Sequence, residues 1–465
     1  MWAAARVAIV VGVVACGGGS TAKPPDAQLE GFTEPDLVCP GAPGCEGAGD
    51  GVLKVGAARR DYTPTNFETY TDENLDNEYQ ASEPFTDTNG NGKFDGVWLF
   101  GGGRAALGVT TAVEARAMAF VQGDVTIAIV YLDCIGLLAG DMDLIRQHPL
   151  LAGLGIDHII VGATHAHDGP DTIGLWGPTI TTSGRQPFVL EGLHAAAAAA
   201  VKEAVETARP ATLQIASTPL INDPANPQSL TDDFNKDIRD PVIFDPSITI
   251  ARFVDATSPT TTIGTLVNWA NHPEVAHFSD DPATITAHYP HWLRDHVEQG
   301  VLTTESKYAQ TDLAGLGGVT VFVQGALGGQ IGSLRGTHPP GPDGTPLTET
   351  NHAMDQALGT NAAARALSAL AQSGETVSDL PLGFKSALYH SRIDNTLFHV
   401  AFLVQVIGPH ALVGYDPEAS IDESNLPWLP TRATFVQIGP IGLVTAPGEL
   451  HPELWVGGYD GGWSW

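Results

Sequence analysis

The sequence predicts an α/β fold, with one large domain built on a mixed β-sheet that helices and long loops flank. Apolar runs of strand length at 126–132 and 159–161 predict two buried strands. A short helical segment at 141–148 separates them, and this β-α-β order is typical of a parallel or mixed sheet. No repeat occurs at the periods of solenoids or propellers, which argues against those architectures.

The other elements are predicted in the same way. The folded domain is expected to begin at Val52. Two Ala-rich segments have high helix propensity, and Arg209-Pro210 stops the first of them. These helices are predicted at 189–208 and 351–372, and further strands at 211–218, in a hairpin across 245–274, and near 383–389, 398–406 and 434–445, where they complete the sheet.

Composition limits the classes of partner. The chain has 465 residues, 53 of them acidic and 22 basic, and its formal net charge is −31. Such a charge repels phosphate backbones and anionic headgroups, so nucleic acid is excluded as an expected partner. An anionic membrane is equally unfavourable unless a covalent anchor overrides the repulsion.

The N-terminal segment predicts such an anchor. Its apolar run at 7–15 is too short to span a membrane but suits an export signal. Val13-Val14-Ala15-Cys16 resembles a bacterial lipobox, so residues 1–19 are predicted as a lipoprotein-type signal peptide and 20–51 as a linker to the domain at 52–465. We therefore expect an exported, membrane-anchored lipoprotein. The alternative is ordinary secretion, with Cys16 inside a discarded peptide.

Three further cysteines follow. Cys39 and Cys45 bracket a Gly/Pro-rich loop that a disulfide could close in an oxidising compartment. Cys134 lies within an apolar run and is predicted to be a buried free thiol.

A polar insertion at 62–96 ends in DTNGNGKFDG, which predicts a structural calcium loop. The residues at positions 1, 3, 5, 6 and 9 of an EF-hand-type loop are, in order, Asp87, Asn89, Asn91, Gly92 and Asp95. Position 12 is Trp98 where a bidentate acid is expected, so the loop lacks its strongest ligand. The alternative interpretation is a polar turn that binds no ion.

The segment 159–178, IIVGATHAHDGPDTIGLWGP, carries the strongest functional signal. A strand leads into a polar stretch that holds His165 and His167. Residues i and i+2 of a strand point to opposite sides, so the two histidines can share one cation only if the chain bends. A ligand at the strand end with a proton-transferring histidine beside it is the interpretation we favour. Two solvated histidines in a polar turn remain the alternative.

Four stretches carry a family resemblance. ATHAHDGPDTIGLWG resembles the THTHSGP segment of the neutral (non-lysosomal) ceramidase family, zinc amidohydrolases that cleave the amide of N-acyl sphingosines. LVNWANHPEV, VFVQGALGGQIG and LVTAPGELHPEL follow in the order that the family has them. The resemblance covers residues 52–455 and is thin between the four stretches.

The resemblance implies a zinc site and assigns residues to it. His165, His272 and Glu449 would be the zinc ligands, each just after a predicted strand. His167 would be the acid/base beside the attacking water, and Asp133 would line the catalytic site at the end of its strand. A zinc ion in such a site activates water and polarises the substrate carbonyl. Alternatively, NHP is a strand-ending turn and Glu449 an acid in the first turn of a helix.

The chain also departs from the family pattern. The family carries G-[DN]-x-S-P, with an active-site serine, where this chain has 329–332, GQIG; Ser333 comes two positions late. The family's tyrosine ligand has no clear counterpart, since Tyr459 is the only tyrosine after Glu449, and His288 stands where relatives tend to carry an acid. We expect no counterpart of the family's C-terminal immunoglobulin-like domain in these 465 residues.

The expected function is therefore zinc-dependent hydrolysis of ceramide or another N-acyl lipid into a fatty acid and an amine. Two alternatives stay open. One is a zinc hydrolase of a different amide or ester, and the other is a metal-binding surface lipoprotein without catalysis, which the missing serine favours.

Overall fold

The computed structural model describes most of the chain. The ranges are 7–12, 38–41, 51–226, 229–237, 239, 242–279, 281–331, 336–408, 410, 412–416, 418–420 and 422–457. Four residues singled out in the sequence, Cys16, Cys45, Ser333 and Tyr459, lie outside these ranges. Cys39 is disulfide-bonded and Cys134 is a buried free thiol, as predicted for Cys134.

Within the described ranges the chain forms nineteen strands and six α-helices. The strands are β1 (Val7–Gly12), β2 (Lys54–Asp61), β3 (Gly108–Val109), β4 (Glu114–Gln122), β5 (Val125–Leu132), β6 (His158–Ala163), β7 (Arg209–Pro219), β8 (Lys236–Asp237), β9 (Ser247–Asp255), β10 (Thr262–Trp269), β11 (Thr284–Ile285), β12 (Gly300–Val301), β13 (Leu313–Ala314), β14 (Val319–Gln324), β15 (Gln330–Ile331), β16 (Glu375–Val377), β17 (Leu382–Arg392), β18 (Trp428–Ile438) and β19 (Ile441–Ala446). The helices are α1 (Ala139–Arg146), α2 (Pro187–Glu206), α3 (Tyr289–Gln299), α4 (His352–Ser373), α5 (Thr396–Leu403) and α6 (Glu453–Val456), with 3₁₀ turns at Pro149–Leu151, Val275–Phe278 and Glu423–Asn425. None of these helices combines the length and apolar character that a membrane span requires.

The main sheet is mixed, which confirms the predicted fold class. Its strand order is β14-β10-β9-β7-β2-β4-β5-β6, and β16 pairs with β7. The pairs β5–β6 and β10–β14 are parallel, whereas the pairs between β10 and β5 are antiparallel. A second sheet has the order β1-β19-β18-β17.

The predicted completion of the main sheet by C-terminal strands is therefore wrong. β17, β18 and β19 form their own sheet, and the segment predicted as a strand near 398–406 contains helix α5. A short apolar run fits a buried strand and a buried helix equally well, so its periodicity does not decide between them. Asn395 decides locally, because its side chain accepts a hydrogen bond from the backbone N–H of Leu397 and caps the helix.

Three apolar clusters hold the layers together. The Ala-rich α2 packs on β2, β4 and β5, where alanines on both sides allow close approach. Helices α3 and α4 pack against β9, β10 and β14 around Trp269 and Phe322. The second sheet covers the main sheet through Leu382, Val436 and Leu443, which lie in one cluster with Phe120. Burial on both sides explains why the main strands are continuous apolar runs.

The N-terminal strand bears on the signal prediction. β1 pairs in parallel with β19 at the edge of the second sheet, from Val7 opposite Ile441 to Gly12 opposite Ala446. Removal of residues 1–19 would leave this edge of β19 without that partner. Cleavage of the signal and lipidation of Cys16 stay predictions.

Candidate metal centre

The first two histidines follow β6. His165 has a positive φ of 68°, an uncommon conformation for a residue with a side chain. This bend brings the Nε2 atom of His167 to 3.3 Å from the Nε2 atom of His165. The Nδ1 atom of His165 donates to the carbonyl of Ile135 at 2.7 Å, which leaves Nε2 as the available lone-pair nitrogen. The bend that the H-x-H spacing requires is therefore present.

The third histidine follows β10. The Nδ1 atom of His272 donates to the carbonyl of Gln330 at 2.5 Å, so its Nε2 atom is also the free one. The Nε2 atom lies 3.6 Å from Oε2 of Glu449. The next residue, Pro273, accepts a hydrogen bond from the backbone N–H of His167 at 3.1 Å, which joins the two histidine segments.

The carboxylate comes from the second sheet. Glu449 follows β19, and its Oε1 atom lies 3.5 Å from the Nε2 atom of His165. The backbone N–H of Gly328, which follows β14, donates to the carbonyl of Leu450 at 2.9 Å. This bond holds the segment of Glu449 next to the main sheet. The three ligands predicted from distant positions in the sequence therefore meet at one place.

Gln324, at the end of β14, joins the histidine segments and was not predicted from the sequence. Its completely buried side chain donates to the carbonyl of Thr164 at 3.0 Å and to the carbonyl of Asn271 at 2.8 Å. Thr164 precedes His165 and Asn271 precedes His272. One amide therefore sets the spacing of both ligand segments.

The residues present fit a zinc ion. His165, His167 and His272 are buried, and one nitrogen from each lies within 4.8 Å of the other two, so this group could hold a metal. Donors of a tetrahedral zinc site with bonds of ~2.1 Å lie about 3.4 Å apart. Three measured separations agree with that value. They are 3.3 Å between His165 and His167, 3.5 Å between His165 and Glu449, and 3.6 Å between His272 and Glu449.

The protonation states also suit a cation site. Burial, reinforced by the neighbouring His272, lowers the pKa of His165 to about 4, and burial lowers the pKa of His167 well below its usual value. Burial alone would raise the pKa of Glu449, but His272 and His165 outweigh it and lower the pKa to about 2. Near neutral pH, His165 and His167 are therefore neutral and the carboxylate is ionised. Burial opposes protonation of His272, but Glu449 and Glu274 prevail and raise its pKa, so metal binding would have to displace a proton there.

His167 is held differently from the other two histidines. Its Nδ1 atom lies 3.7 Å from Oε2 of Glu274, and both side chains are buried. The ring of Phe100 packs on its imidazole, with ring centroids 4.5 Å apart. His167, the predicted acid/base residue, thus has the carboxylate of Glu274 near its Nδ1 atom, and its Nε2 atom faces His165.

A buried charged network lies beside this pair. Asp168 accepts from Arg104 at 2.5 Å and lies 3.0 Å from Nδ1 of His277. Its backbone N–H donates to Nε2 of His288, whose Nδ1 atom is 3.4 Å from Asp355. Burial opposes protonation of His288, but the carboxylates of Asp355 and Asp168 prevail and raise its pKa. His288 therefore lies between two carboxylates, those of Asp168 and Asp355. This is the position at which relatives tend to carry an acid.

Asp133 lies at the end of β5 but is engaged elsewhere. Both of its oxygens accept from Arg294, and Oδ2 also accepts from the backbone N–H of Glu114 at 2.9 Å. Thr164 donates to Oδ1 at 3.2 Å. These bonds favour a positioning role next to His165, and the predicted catalytic role of Asp133 stays a prediction.

The stretch that replaces the family's serine motif supports His272. Gln330 is completely buried, and its carbonyl accepts from the imidazole of His272 as given above. Its side chain accepts from Asn235 at 3.0 Å and donates to the carbonyl of Ile243 at 3.2 Å. The four residues predicted to bind calcium, Asp87, Asn89, Asn91 and Asp95, lie apart from this centre in a surface loop.

Comparisons with known proteins bear on the fold. No protein-family model matches the chain, and no curated protein sequence matches it significantly. Its structure is similar to that of neutral ceramidase from Pseudomonas aeruginosa, with a TM-score of 0.52 over 84% of this chain and 62% of that one, at 14% identity. This chain has the neutral ceramidase fold.

A second solved structure, described as a ceramidase complexed with C2, gives the same TM-score and identity and is covered over 63% of its length. The chain therefore spans less than two thirds of the ceramidase structures that it resembles. At 14% identity the likeness establishes the neutral ceramidase fold, which agrees with the resemblance that the four sequence stretches carry.

Proposed function

We propose that this protein is a zinc-dependent amide hydrolase that cleaves N-acyl sphingosine or a related N-acyl lipid into a fatty acid and an amine. The observation that carries the proposal is the convergence of His165, His272 and Glu449 in a neutral ceramidase fold. The relatives are ceramidases by name, so the substrate class is an inference from them to this chain.

The proposal assigns each side chain a task. His165, His272 and Glu449 would hold the zinc ion, since their available atoms face one another. A bound zinc ion activates water and polarises an amide carbonyl. His167 would accept and return a proton at Nε2, while the carboxylate of Glu274, 3.7 Å from Nδ1, would stabilise the charged ring. All three histidines are buried, whereas the side chain of Glu449 is 32% exposed, so a substrate would reach the site from the side of Glu449.

Exposed apolar side chains on helix α5 favour a lipid substrate. A cavity of about 540 Å³ at this helix has a mixed lining, in which Leu190, Phe402 and Val406 are apolar and Arg185 and Gln405 are polar. On the helix itself, Leu397 is 75% exposed and Val400 is 46% exposed. Contiguous exposed apolar side chains are typical of surfaces that meet lipid or another partner. Export and a lipid anchor at Cys16 would place this surface at a membrane and are proposed on the sequence alone.

One observation favours a different substrate. The buried network of Asp168, Arg104 and His277 adjoins His167 and offers charged groups to a polar ligand. An amide or ester with a polar head group would use these groups better than a second alkyl chain would. The missing serine favours the third candidate, a metal-binding protein without turnover, because Gln330 occupies that stretch.

Two measurements test the proposal on the purified protein. We expect one zinc ion per chain by elemental analysis, and release of fatty acid from labelled ceramide that a chelator abolishes. H272A and E449Q should lose zinc and turnover together, whereas the surface variants H338A and E206Q should keep both. Zinc without turnover on any acyl amide would point to the binding protein, and absence of zinc would remove both hydrolase candidates.

A further inference from the structure

The insertion between β2 and the histidine site contains two loops of twelve residues, of which the sequence predicted only the second. The first loop, 72–83, has calcium-ligand residues at positions 1, 3, 5, 9 and 12 of the EF-hand spacing, with Asn77 at position 6. These ligand residues are Asp72, Asn74, Asp76, Gln80 and Glu83. The first loop therefore includes the acid at position 12 that the second loop, 87–98, lacks.

The two loops have the same backbone conformation. In the first loop, Asp72 accepts from the backbone N–H groups of the fourth, fifth and sixth residues at 2.7, 3.2 and 2.9 Å. In the second loop, Asp87 accepts from the equivalent groups at 2.6, 3.2 and 2.8 Å. Positions 4 and 6 have positive φ in both, which costs Leu75 and Asn77 more than Gly90 and Gly92.

Glu68 completes the second loop from outside it. In the first loop, Glu83 accepts from the backbone N–H groups of the second and ninth residues at 3.0 and 2.8 Å. In the second loop, Glu68 accepts from the groups at the same two positions, Thr88 and Asp95, both at 2.8 Å. In the sequence, position 12 of the second loop is Trp98. In the structure, the carboxylate of Glu68 lies where the acid at position 12 lies in the first loop. This carboxylate could supply the acidic ligand that position 12 of the loop lacks.

Burial provides independent evidence for a cation. Glu68 is 2% exposed and Glu83 is 6% exposed. Among the described residues, neither carboxylate has a Lys, Arg or His nitrogen within 4.0 Å. Two backbone N–H groups, joined at Glu68 by the hydroxyl of Thr88 at 3.2 Å, offset only part of the free energy that a buried charge costs, so a positive partner would stabilise each carboxylate.

A buried hydroxyl beside the first loop points the same way. Tyr70 is 6% exposed, and its hydroxyl oxygen has no hydrogen-bond partner. Burial raises its pKa, and the carboxylates of Asp72 and Glu83 raise it further. The buried hydroxyl of Tyr70 therefore lies in the negative field of the first loop, and no described residue forms a hydrogen bond with it.

The loops also pack on each other as a pair. At position 8 of each loop stand Tyr79 and Phe94, whose ring centroids are 4.3 Å apart. The segments that precede the loops form an antiparallel bridge between Tyr70 and Phe85. Ordering one loop therefore helps to order the other.

We propose that residues 72–83 and residues 87–95 with Glu68 form a pair of calcium sites. All side-chain donors are oxygens of Asp, Asn, Gln and Glu, which hard cations prefer, and a bidentate acid with many ligands suits calcium better than magnesium. The pair would brace the histidine site, because the carbonyl of Trp98 accepts from the backbone N–H of Asp171 at 2.8 Å and Phe100 packs on His167. This inference does not depend on the reaction that the protein catalyses.

Equilibrium dialysis with radioactive calcium, on the full chain with zinc saturating, tests the proposal. We expect two calcium ions per chain for the wild type, one for E83Q, one for E68Q and none for the double variant. E73Q, an exposed acid at position 2 of the first loop, is the matched control and should keep two. No bound calcium in the wild type, or two ions in both single variants, would overturn the proposal.

A second readout covers variants that fail to fold. Terbium bound in either loop should show luminescence sensitised by Tyr79 or Trp98, whose rings are 6.1 Å apart, and calcium should displace it. N89A changes an exposed side chain of the second loop and should remove about half of this signal. An unchanged signal in N89A, or terbium that calcium does not displace, would contradict a site in that loop.

Discussion

Arg294 donates two hydrogen bonds to Asp133, at 2.7 and 2.8 Å, and both side chains are completely buried. This pair ties α3 to the end of β5. Because Thr164 also bonds to Asp133, the pair determines where the segment of His165 begins. A buried pair of this kind contributes through geometry, while the loss of one partner leaves an uncompensated charge.

We therefore expect R294M to lower the free energy of unfolding by about 3–5 kcal/mol. The double variant D133N/R294M should recover part of that loss, because it no longer buries a lone carboxylate. Chemical denaturation measures both, and R59M, at a half-exposed arginine, should change stability by less than about 1 kcal/mol. If D133N kept wild-type stability and lost only turnover, the predicted catalytic role of Asp133 would be supported instead.

Gln324 links the two histidine segments, so Q324L should weaken metal binding without touching a ligand. Loss of its bonds to Thr164 and Asn271 leaves the carbonyl of Thr164 without this partner, while the carbonyl of Asn271 keeps the hydroxyl of Tyr289, and lowers stability by about 1–3 kcal/mol. The looser spacing should lower zinc affinity about 10–100-fold, as for other residues that orient ligands. Competition with a chromophoric chelator measures the affinity, and Q299L at the end of α3 serves as control. Unchanged affinity would mean that the ligand segments hold their own spacing.

Much of the fold is predictable because its strands and helices have strong local signals. The predicted helices at 189–208 and 351–372 correspond to α2 and α4, and the strand at 126–132 to β5. Alanine propensity and complete burial decide these segments locally. The second sheet could not be predicted, because strand pairing between distant segments has no local signature. Helix α5 could not be predicted either, because its short apolar run fits both a buried strand and a buried helix.

The site was predictable only where a motif carried it. His165, His272 and Glu449 follow strands within recognisable stretches, and they meet as expected. Gln324 and Glu274 also lie within the recognisable stretches, but the stretches do not reveal their roles, since these arise only when separate segments come together. The first calcium-type loop could have been found, because its ligand residues from Asp72 to Glu83 follow the EF-hand spacing, although Asn77 stands where the pattern has glycine.

The role of His167 is open to a direct test. In H167Q we expect zinc content to stay at the wild-type level and turnover to fall about 10²–10⁴-fold, the usual contribution of a proton-transferring group. E274Q should lower turnover by a smaller factor, because the ring keeps its Nε2 atom in place but loses the carboxylate behind it. Elemental analysis beside ceramide hydrolysis separates the effects. Loss of zinc in H167Q would instead make His167 a ligand, which the 3.3 Å distance to His165 allows.

His158 predicts how stability depends on pH. Its ring stacks on Phe384 of the second sheet, with centroids 5.0 Å apart. Burial, with smaller contributions from Arg146 and Arg432, lowers its pKa from 6.5 to about 4. The unfolded chain therefore binds a proton at higher pH than the folded protein does.

The stabilisation that neutral His158 provides is complete above pH 6.5 and is lost as the pH falls towards 4. Wild type should consequently lose stability more steeply than H158Q across this window, by on the order of 2 kcal/mol. Urea unfolding of both proteins at several pH values measures the difference, and H338Q, at an exposed histidine, should follow the wild type. Parallel curves for wild type and H158Q would show that the ring accepts its proton without leaving Phe384, and that the two sheets tolerate a charge between them.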